Sequence, residues 1–265
     1  MRKTAVITGG ARGIGYELAR QFANDGYDLI LVSRNRDKLK AAATLLTKEY
    51  SVQVQCCGAD LSDAASHKIV ADAVNNMGVI PDVLVNNAGV GASGTIVSID
   101  YLRQMEMVNL NVGAVVGLTR TLLPGMIGRG SGAILNVAST AAFFPGPNMA
   151  VYYATKSFVL NFSLALEKEL ENSGVRVSVL CPGPTATDFG ADSGLDNIKL
   201  VKRKYFPLMP VENVAKYGYR KFRDGKVIIV PGIANRISTT LSSLIPRRMS
   251  AGILKMLNNN EQLWY

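Results

Sequence analysis

The stretch "TAVITGGARGIGYELA" (residues 4–19) decides how this chain folds. It opens with the β-branched run "TAVIT", passes through a glycine-rich turn and ends in a helical pattern. Gly9, Gly13 and Gly15 space that turn as TGxxxGxG. Small residues at a strand-to-helix turn let the backbone approach a phosphate group closely, and a helix N-terminus offers free N–H groups to it. The stretch therefore predicts a first strand, residues 4–8, followed by a phosphate-binding turn.

Short apolar runs alternate with helical patterns along most of the remaining chain. Near-continuous apolar strands are typical of a parallel sheet that is buried on both faces. The alternation predicts an α/β fold: one Rossmann-type domain, residues 1–265, with a doubly wound parallel sheet of about seven strands. The further strands are expected at 29–33, 52–56, 82–86, 133–138, 175–181 and 226–230, and the helices at about 14–25, 37–49, 63–77, 103–128, 152–172 and 211–223.

After the last predicted strand, residues 233–258 indicate a C-terminal helical hairpin. Apolar residues fall on one face of each predicted helix, and Pro246 suits the first turn of the second helix. We expect the apolar stripe to be buried by packing on the sheet or by a dimer contact. Closure over a pocket and weak contact with an anionic membrane surface remain open. The stripe consists of Ile233, Ile237, Leu241, Leu244 and Ile245, then Met249, Ile253, Leu254 and Leu257.

The net charge of +9 is concentrated near the C-terminus. Residues 199–265 carry 13 Lys+Arg and 3 Asp+Glu, which leaves 16 and 17 of the whole-chain totals for residues 1–198. A solvated basic face explains such a bias, and so does an anionic substrate or membrane surface. No recognition helix or aromatic stacking motif accompanies the charge, so we expect no nucleic-acid partner.

The cysteine and histidine content limits which side chains could bind a metal or transfer a proton. The three cysteines occur without CxxC or Cys/His metal spacing, so we expect no metal site. An odd count without a disulfide framework favours a reducing compartment, and we expect a cytoplasmic protein. The only histidine, His67, lies in a polar helix start and is expected at the surface. Any acid/base group is therefore expected to be Tyr, Lys, Asp or Glu.

Six motifs occur in a fixed order over residues 4–187: "TGGARGIG" (8–15), "NNAG" (86–89), "NVGAVVGLT" (111–119), Ser139, "YYATK" (152–156) and "PGPTAT" (182–187). Together they resemble the short-chain dehydrogenase/reductase family, in its small single-domain type. The resemblance implies an oxidoreductase that interconverts a carbonyl and a secondary alcohol with a nicotinamide cofactor, working as a homodimer or homotetramer. A catalytically dormant cofactor-binding regulator is the alternative, although such proteins tend to lose the Tyr or Lys that this chain keeps.

The family's Tyr-x-x-x-Lys motif selects Tyr152 as the acid/base group, because it lies four residues before Lys156 and shares its helix face. Tyr153 lies three residues from Lys156, so spacing alone leaves both tyrosines open. A nearby ammonium is expected to lower the phenol pKa by up to about three units, before the competing desolvation is counted. The resemblance further implies that Ser139 orients the substrate oxygen and that Lys156 also holds the nicotinamide ribose.

The resemblance also implies a proton relay through Asn111 to Lys156. The neighbouring Asn109 remains a weaker alternative, since element boundaries shift by a few residues.

The end of the second predicted strand indicates which cofactor is used. An NAD-selective site usually has an acidic residue there, whereas this chain has Ser33 and Arg34. A guanidinium can hold a 2′-phosphate in bidentate fashion, and Arg12 adds a second positive charge. We therefore expect NADP(H) to be preferred over NAD(H). The resemblance adds further cofactor contacts at Gly9, Gly13, Ile14, Gly15, Asp60, Leu61, Asn87, Ala88, Gly89, Tyr152, Pro182, Gly183, Thr185 and Thr187.

A mobile substrate lid is expected at about residues 188–210, with the opposite wall at 141–149. The lid mixes apolar side chains with several Lys and Arg residues. An apolar pocket with a basic rim suits a hydrophobic carbonyl compound. We expect a 3-oxoacyl, steroid-like or other lipophilic ketone as the substrate.

Overall fold

Seven parallel strands form one sheet in the computed structural model, which describes residues 2–193, 208–242 and 244–258. The order β3-β2-β1-β4-β5-β6-β7 confirms the Rossmann-type prediction. Every predicted strand is found with small shifts at its ends, and the last is the shortest. The strands are β1 (Thr4–Thr8), β2 (Asp28–Ser33), β3 (Val54–Gly58), β4 (Val83–Asn86), β5 (Gly132–Val137), β6 (Val175–Leu180) and β7 (Ile228–Ile229).

Helices cover both faces of the sheet and extend the chain beyond it. One predicted helix, 103–128, is interrupted in the structure by a single π-helical turn, Asn109–Gly113. The described helices are α1 (Gly13–Asn24), α2 (Arg36–Tyr50), α3 (Ser66–Asn76), α4 (Tyr101–Val108), α5 (Ala114–Arg129), α6 (Ala150–Glu169), α7 (Phe189–Asp192), α8 (Val211–Arg223), α9 (Ile233–Leu241) and α10 (Arg247–Leu257).

Side-chain alternation in β1 divides the core into two layers. Ala5 and Ile7 pack in the layer that contains Phe22 of α1, whereas Val6 packs in the layer that contains Leu118 of α5. All five β1 residues are buried, as expected for a central strand. Burying each large apolar side chain stabilises the folded state by about 1.5–3 kcal/mol, so packing on both faces stabilises the sheet.

The stretch Tyr101–Arg129 is long and apolar enough to cross a membrane by length and composition alone. Its inner residues Leu118, Leu122 and Met126 belong to the protein core, which explains the apolar composition.

The chain changes direction across the sheet at β1, which pairs with β2 on one side and β4 on the other. This switch point opens a crevice beyond the carboxyl ends of the strands, where ligands bind in open α/β sheets. The predicted site residues follow these strand ends, so the topology gathers them at one edge of the sheet.

The C-terminal hairpin has the two predicted helices, but its apolar stripe does not pack on the sheet as one expectation held. Ile233, Ile237 and Leu241 of α9 and Met249 and Ile253 of α10 are exposed. The side that faces the protein instead carries small and polar residues, such as Thr239 and Ser250. The helical period was therefore predicted correctly; of the predicted stripe, Ile245, Leu254 and Leu257 are half-buried, whereas the other residues face outward.

Gly15→Ala is predicted to destabilise the first strand-to-helix turn. A Cβ at Gly15 would overlap the Gly9 carbonyl oxygen and the Asn87 side chain, so the turn would have to shift. We expect the free energy of unfolding to fall by about 1–3 kcal/mol in chemical denaturation. The matched control is Gly128→Ala in α5, where the added Cβ meets no atom within 4 Å. Equal stability of the two variants would contradict the steric argument.

Candidate active site

A cleft with a volume of about 580 Å³ opens at the switch point. It brings together nearly all of the residues that the sequence picked out. Gly15 and Asn111 do not line it, because Gly15 packs beneath the first turn and Asn111 lies behind Val90. The predicted residues that line it are Gly9, Arg12, Gly13, Ile14, Ser33, Arg34, Asp60, Leu61, Asn87, Ala88, Gly89, Ser139, Tyr152, Lys156, Pro182, Gly183, Thr185 and Thr187.

The turn between β1 and α1 forms an anion-binding cradle. Gly9 and Gly13 adopt positive φ angles of 66° and 57°, which residues with a Cβ rarely reach. The α1 N-terminus has no side-chain cap and no acidic residue in its first turn. Its N–H groups and positive dipole end thus remain available to a ligand. These features fit the pyrophosphate of a dinucleotide cofactor.

Asn87 fastens this turn to the end of β4. Its Nδ2 donates to the carbonyl oxygens of Thr8 (2.9 Å) and Gly9 (3.4 Å). The Thr8 hydroxyl accepts from the backbone N–H groups of Asn87 and Ala88, both at 2.9 Å, and donates to Val85 O at 3.2 Å. The "NNAG" motif therefore holds the floor of the cleft together in addition to lining it.

Two basic side chains line the cleft beyond the end of β2. Arg34 lines the cleft, and its guanidinium lies 2.8 Å from Glu106 Oε1 and 3.8 Å from Asp60 Oδ2. Lys38, in the first turn of α2, also lines the cleft. The sequence analysis missed Lys38, although its i+4 spacing from Arg34 was available as a signal.

Arg12 contacts the start of the predicted lid. Its guanidinium pairs with Asp188 at 3.1 Å and with Asp192 of α7. All three side chains are about half exposed or more, so each ion pair contributes little to stability. Arg12 thus spans the turn and the lid, which the sequence did not predict. Most of the predicted lid, residues 194–207, lies outside the described residues.

Tyr152, Lys156 and Ser139 converge at the inner end of the cleft. The two α6 side chains are almost fully buried, with Tyr152 8% and Lys156 5% exposed. Lys156 Nζ donates to Val137 O at 3.0 Å and lies 5.9 Å from the centre of the Tyr152 ring. The Ser139 hydroxyl accepts from Ala141 N at 3.1 Å and is hydrogen-bonded to the Tyr152 side chain. Tyr152 and Lys156 therefore lie on one face of α6, as their four-residue spacing predicts.

Burial, and not the lysine, controls the pKa of Tyr152. Desolvation raises this pKa well above its usual value, and the hydrogen bond with Ser139 offsets only part of the rise. The competing desolvation, which the sequence left uncounted, therefore outweighs any lowering of the Tyr152 pKa by Lys156 in the protein by itself. Desolvation also lowers the pKa of Lys156 to about 8. Each group resists ionisation because each is buried away from water.

Asn111 occupies the π-helical turn between α4 and α5. Its Oδ1 accepts from Val90 N at 2.9 Å, while its Nδ2 donates to Val90 O (2.9 Å) and to Thr155 Oγ1 (3.0 Å). A Cβ on Gly89 would lie 3.1 Å from Asn111 Oδ1 and 3.3 Å from Lys156 Nζ, so both groups border the same small space. Asn109, the alternative, is exposed.

Apolar residues form the substrate end of the cleft. Met149 lines it from the predicted opposite wall, and Phe189 of α7 lies 5.7 Å from the Tyr152 ring, centre to centre. Tyr153 also lines the cleft, and its hydroxyl accepts from Asn258 Nδ2 at 3.5 Å. Asn258, which follows α10, is buried and was missed by the sequence analysis because no local pattern marks it.

The remaining titratable residues give no second reaction centre in the described ranges. His67 is half-buried against Gly117 of α5, away from the cleft, and burial lowers its pKa. No group of three His, Cys, Asp or Glu side chains that could hold a metal occurs within residues 2–193, 208–242 and 244–258.

A doubly wound sheet with this cradle, and with a buried Tyr–Lys pair beside it, defines a nicotinamide-dependent oxidoreductase. A family model described as short chain dehydrogenase matches residues 3–197. The chain therefore belongs to the short-chain dehydrogenase family, and it is an oxidoreductase with a nicotinamide cofactor.

Known relatives agree with this assignment. The chain is 32% identical over 236 residues to 3-oxoacyl-acyl-carrier-protein reductase FabG of Chlamydia trachomatis, covering 86% of this chain and 93% of that protein. It is 33% identical over 191 residues to very-long-chain 3-oxoacyl-CoA reductase of Rattus norvegicus, covering 69% of this chain but 59% of that protein. A short-chain dehydrogenase from Sphingobium yanoikuyae, solved in complex with NADPH, superposes with a TM-score of 0.81 at 29% identity, covering 99% and 98% of the two chains.

Lys156→Met is predicted to stabilise the cofactor-free protein at neutral pH. Below pH 8 the buried lysine is charged in both states, so the native state carries the desolvation cost. Between pH 8 and about 10.4 only the unfolded lysine stays charged, and above that range neither is charged. The stability gain of the variant should therefore shrink by about 3 kcal/mol from pH 7 to pH 10.5 in chemical denaturation.

The control for this experiment is Lys40→Met, at an exposed position of α2. Its stability difference from the parent protein, measured over the same pH range, gives the baseline for replacing an exposed lysine by methionine. A stability difference for Lys156→Met that is constant with pH would refute the lowered lysine pKa.

Proposed function

We propose that this protein is an NADP(H)-dependent carbonyl reductase/alcohol dehydrogenase for lipophilic ketones, with Tyr152 as the acid/base group. The observation that carries the proposal is the convergence of Tyr152, Ser139 and Lys156 at the inner end of the cleft that contains the anion cradle. A carbonyl group placed there meets a hydroxyl from Tyr152 and another from Ser139. The proposal extends to the reverse oxidation by microscopic reversibility.

The nicotinamide supplies the hydride for the carbonyl carbon when the cofactor is bound. The C=O π electrons move onto the oxygen, and the Tyr152 hydroxyl gives it a proton. A neutral tyrosine is the correct starting state for this step, and burial keeps Tyr152 neutral. Ser139 holds the carbonyl oxygen beside that hydroxyl. Lys156 stabilises the tyrosinate left behind, since its positive charge lies on the same helix face.

Replacement of the tyrosine proton follows a buried polar route. Lys156 Nζ and Asn111 Oδ1 border the space beside Gly89. Water in that space would accept from Lys156 and continue to Asn111, which lies in the π-helical turn, a feature frequent at functional sites. In this proposal Asn111 positions the relay, and its side chain is held by Val90 and Thr155.

The proposed substrate is a hydrophobic carbonyl compound, in the class of 3-oxoacyl, steroid-like or other lipophilic ketones. Met149, Phe189, Leu208 and the Tyr153 ring give the substrate end an apolar lining. Two relatives named above are 3-oxoacyl reductases, acting on acyl-carrier-protein and CoA thioesters according to their names. We place the 3-oxoacyl thioesters first among the compounds to test.

NADP(H) is proposed to be preferred over NAD(H). Arg34 and Lys38 both line the cleft beyond β2, where each could contact a 2′-phosphate. The solved relative in complex with NADPH supports this choice. Charge-assisted hydrogen bonds to phosphate are about twice as strong as neutral ones, which gives the preference its physical basis.

Homo-oligomerisation and a cytoplasmic location complete the proposal. Large apolar side chains are exposed on and before α4, including Ile96, Val97, Tyr101 and Leu102, and such a patch is typical of a subunit contact. The cysteines Cys56, Cys57 and Cys181 are all free, as is usual in a reducing compartment.

Tyr152→Phe is predicted to abolish turnover while cofactor binding survives. The test is NADPH oxidation across short and long 3-oxoacyl thioesters, steroids, diketones and aromatic ketones, followed by kinetics on the best substrate. We expect kcat to fall by about 100-fold or more, because general acid catalysis contributes about that factor. Cofactor affinity, measured by NADPH fluorescence, should change little.

Tyr153→Phe is the matched control, since it removes the neighbouring hydroxyl from the same cleft. Its kcat should stay within a few-fold of the parent value, and any effect should appear in KM for the ketone. Retained turnover in Tyr152→Phe, or an equal loss in both variants, would overturn the assigned role.

Arg34→Ser combined with Lys38→Ala is predicted to weaken NADPH use selectively. Losing charge-assisted contacts of about 1.5–3 kcal/mol should raise KM for NADPH about 10- to 100-fold while leaving KM for NADH nearly unchanged. Lys40→Ala, at an exposed α2 position that does not line the cleft, is the control. An unchanged ratio of kcat/KM for the two cofactors would contradict the proposed preference.

A further inference from the structure

Helix α9 is amphipathic, but its apolar face is directed to solvent and its polar face to the protein. Ile233, Ile237 and Leu241 recur at i, i+4 and i+8, and all three are exposed. The opposite side holds Asn235 and Thr239, and Thr239 is buried. Asn235 donates to Pro231 O at 2.8 Å and packs against Gly183 of the cleft. The polar side of α9 is therefore the one that is anchored to the protein.

Helix α10 repeats the arrangement. Met249, Ile253 and Met256 are exposed along one side, and Leu244 is exposed in the connection from α9. Including the three apolar residues of α9, these seven side chains are 47–76% exposed. Soluble monomers seldom expose so many large apolar residues on one short segment, and such patches usually mark an interaction site. We call these seven residues the hairpin stripe.

The charges beside the hairpin stripe are of one sign. Residues 233–258 include Arg236, Arg247, Arg248 and Lys255 and no Asp or Glu. All four basic residues are exposed. Exposed apolar residues flanked by Lys and Arg are the chemistry of helices that lie in the interface of an anionic bilayer.

We propose that the C-terminal hairpin docks this protein onto the surface of a bilayer containing anionic phospholipids. The hairpin stripe enters the boundary between headgroups and acyl chains, and the four basic residues contact lipid phosphates. A second copy of this chain fits the same surface less well. Two-fold pairing of the hairpin would bring the exposed Arg236, Arg247 and Arg248 of one copy close to the same three arginines of the other, and like charges oppose association.

The inner side of the hairpin links this surface to the active-site cleft. Leu254 packs with the cluster that contains Tyr152 and Tyr153, and the buried Asn258 donates to Pro147 O at 3.0 Å and lines the cleft. A docked protein would thus hold its cleft beside the lipid phase. The docking itself does not depend on the proposed function; only the benefit of access to a lipophilic ketone rests on it.

The test is flotation of the full chain with vesicles of phosphatidylcholine alone or with 30% phosphatidylglycerol, a probe composition, at low and high salt. We expect binding to the anionic vesicles at low salt, weaker binding at high salt, and little binding to phosphatidylcholine alone. Ile237→Ser combined with Ile253→Ser should reduce binding to anionic vesicles at least tenfold. Arg247→Gln combined with Arg248→Gln should reduce it and weaken its salt dependence.

Matched controls use exposed residues of α2 and α3. Leu45→Ser with Ile69→Ser removes comparable apolar exposure, and Lys40→Gln with Lys48→Gln removes the same charge. Both controls should bind vesicles like the parent protein. NADPH binding, measured for every variant, reports whether the domain remains folded.

Absent flotation at low salt, or equal losses in the hairpin variants and the controls, would overturn the proposal. So would a shift from dimer to monomer in sedimentation velocity with unchanged vesicle binding in the Ile237/Ile253 variant, since the stripe would then be a subunit interface. Tyr152→Phe should float like the parent protein. Lipid docking and the proposed reaction can therefore fail independently.

Discussion

The hydroxyl group of Thr8 is the contact on which the site depends. It is buried at the end of β1, donates one hydrogen bond to Val85 and accepts two from the start of the "NNAG" motif. A hydroxyl has one donor and two acceptor positions, so this group is fully satisfied. It joins β1 to β4 at the point where the sheet reverses its winding. The close packing of Gly9 and Gly15 against Asn87 follows from that junction.

Burial of Lys156, in contrast to the Thr8 contacts, lowers the stability of the folded protein. Lys156 is placed where water cannot solvate its charge, and its pKa falls to about 8 as a result. A native state that carries such a group sacrifices stability, and this is common where a side chain serves chemistry. The same desolvation raises the pKa of Tyr152 and keeps it protonated. In the proposed mechanism, the protein by itself thus holds a proton donor beside a cation that stabilises the donor's conjugate base.

Much of the fold and of the candidate site could be predicted because each rests on local signals. The β1 run and the glycine spacing predicted the first turn, and the resemblance to the family's Tyr-x-x-x-Lys motif favoured Tyr152 over Tyr153. The sequence could not predict effects that depend on residues distant in the chain, such as desolvation and contacts with the C-terminal segment. The spacing of Tyr152 and Lys156 allowed the Coulomb effect on the Tyr152 pKa to be judged, but the larger effect of desolvation could not be judged, because burial depends on the entire fold. Asn258 reaches the cleft across more than 100 residues of chain, so no local pattern could reveal it.

The C-terminal hairpin shows a second limit of prediction from sequence. Periodicity predicts that apolar residues share a face of a helix, but it does not say which face meets the protein. In α9 the inner contacts belong to Asn235, whose amide bonds to Pro231 and packs against Gly183. Once those polar anchors are fixed beside the cleft, helical geometry forces Ile237 and Leu241 outward. An apolar face that the fold itself turns away from the core is typical of an interaction site, and in our proposal the surrounding positive charge selects an anionic lipid surface.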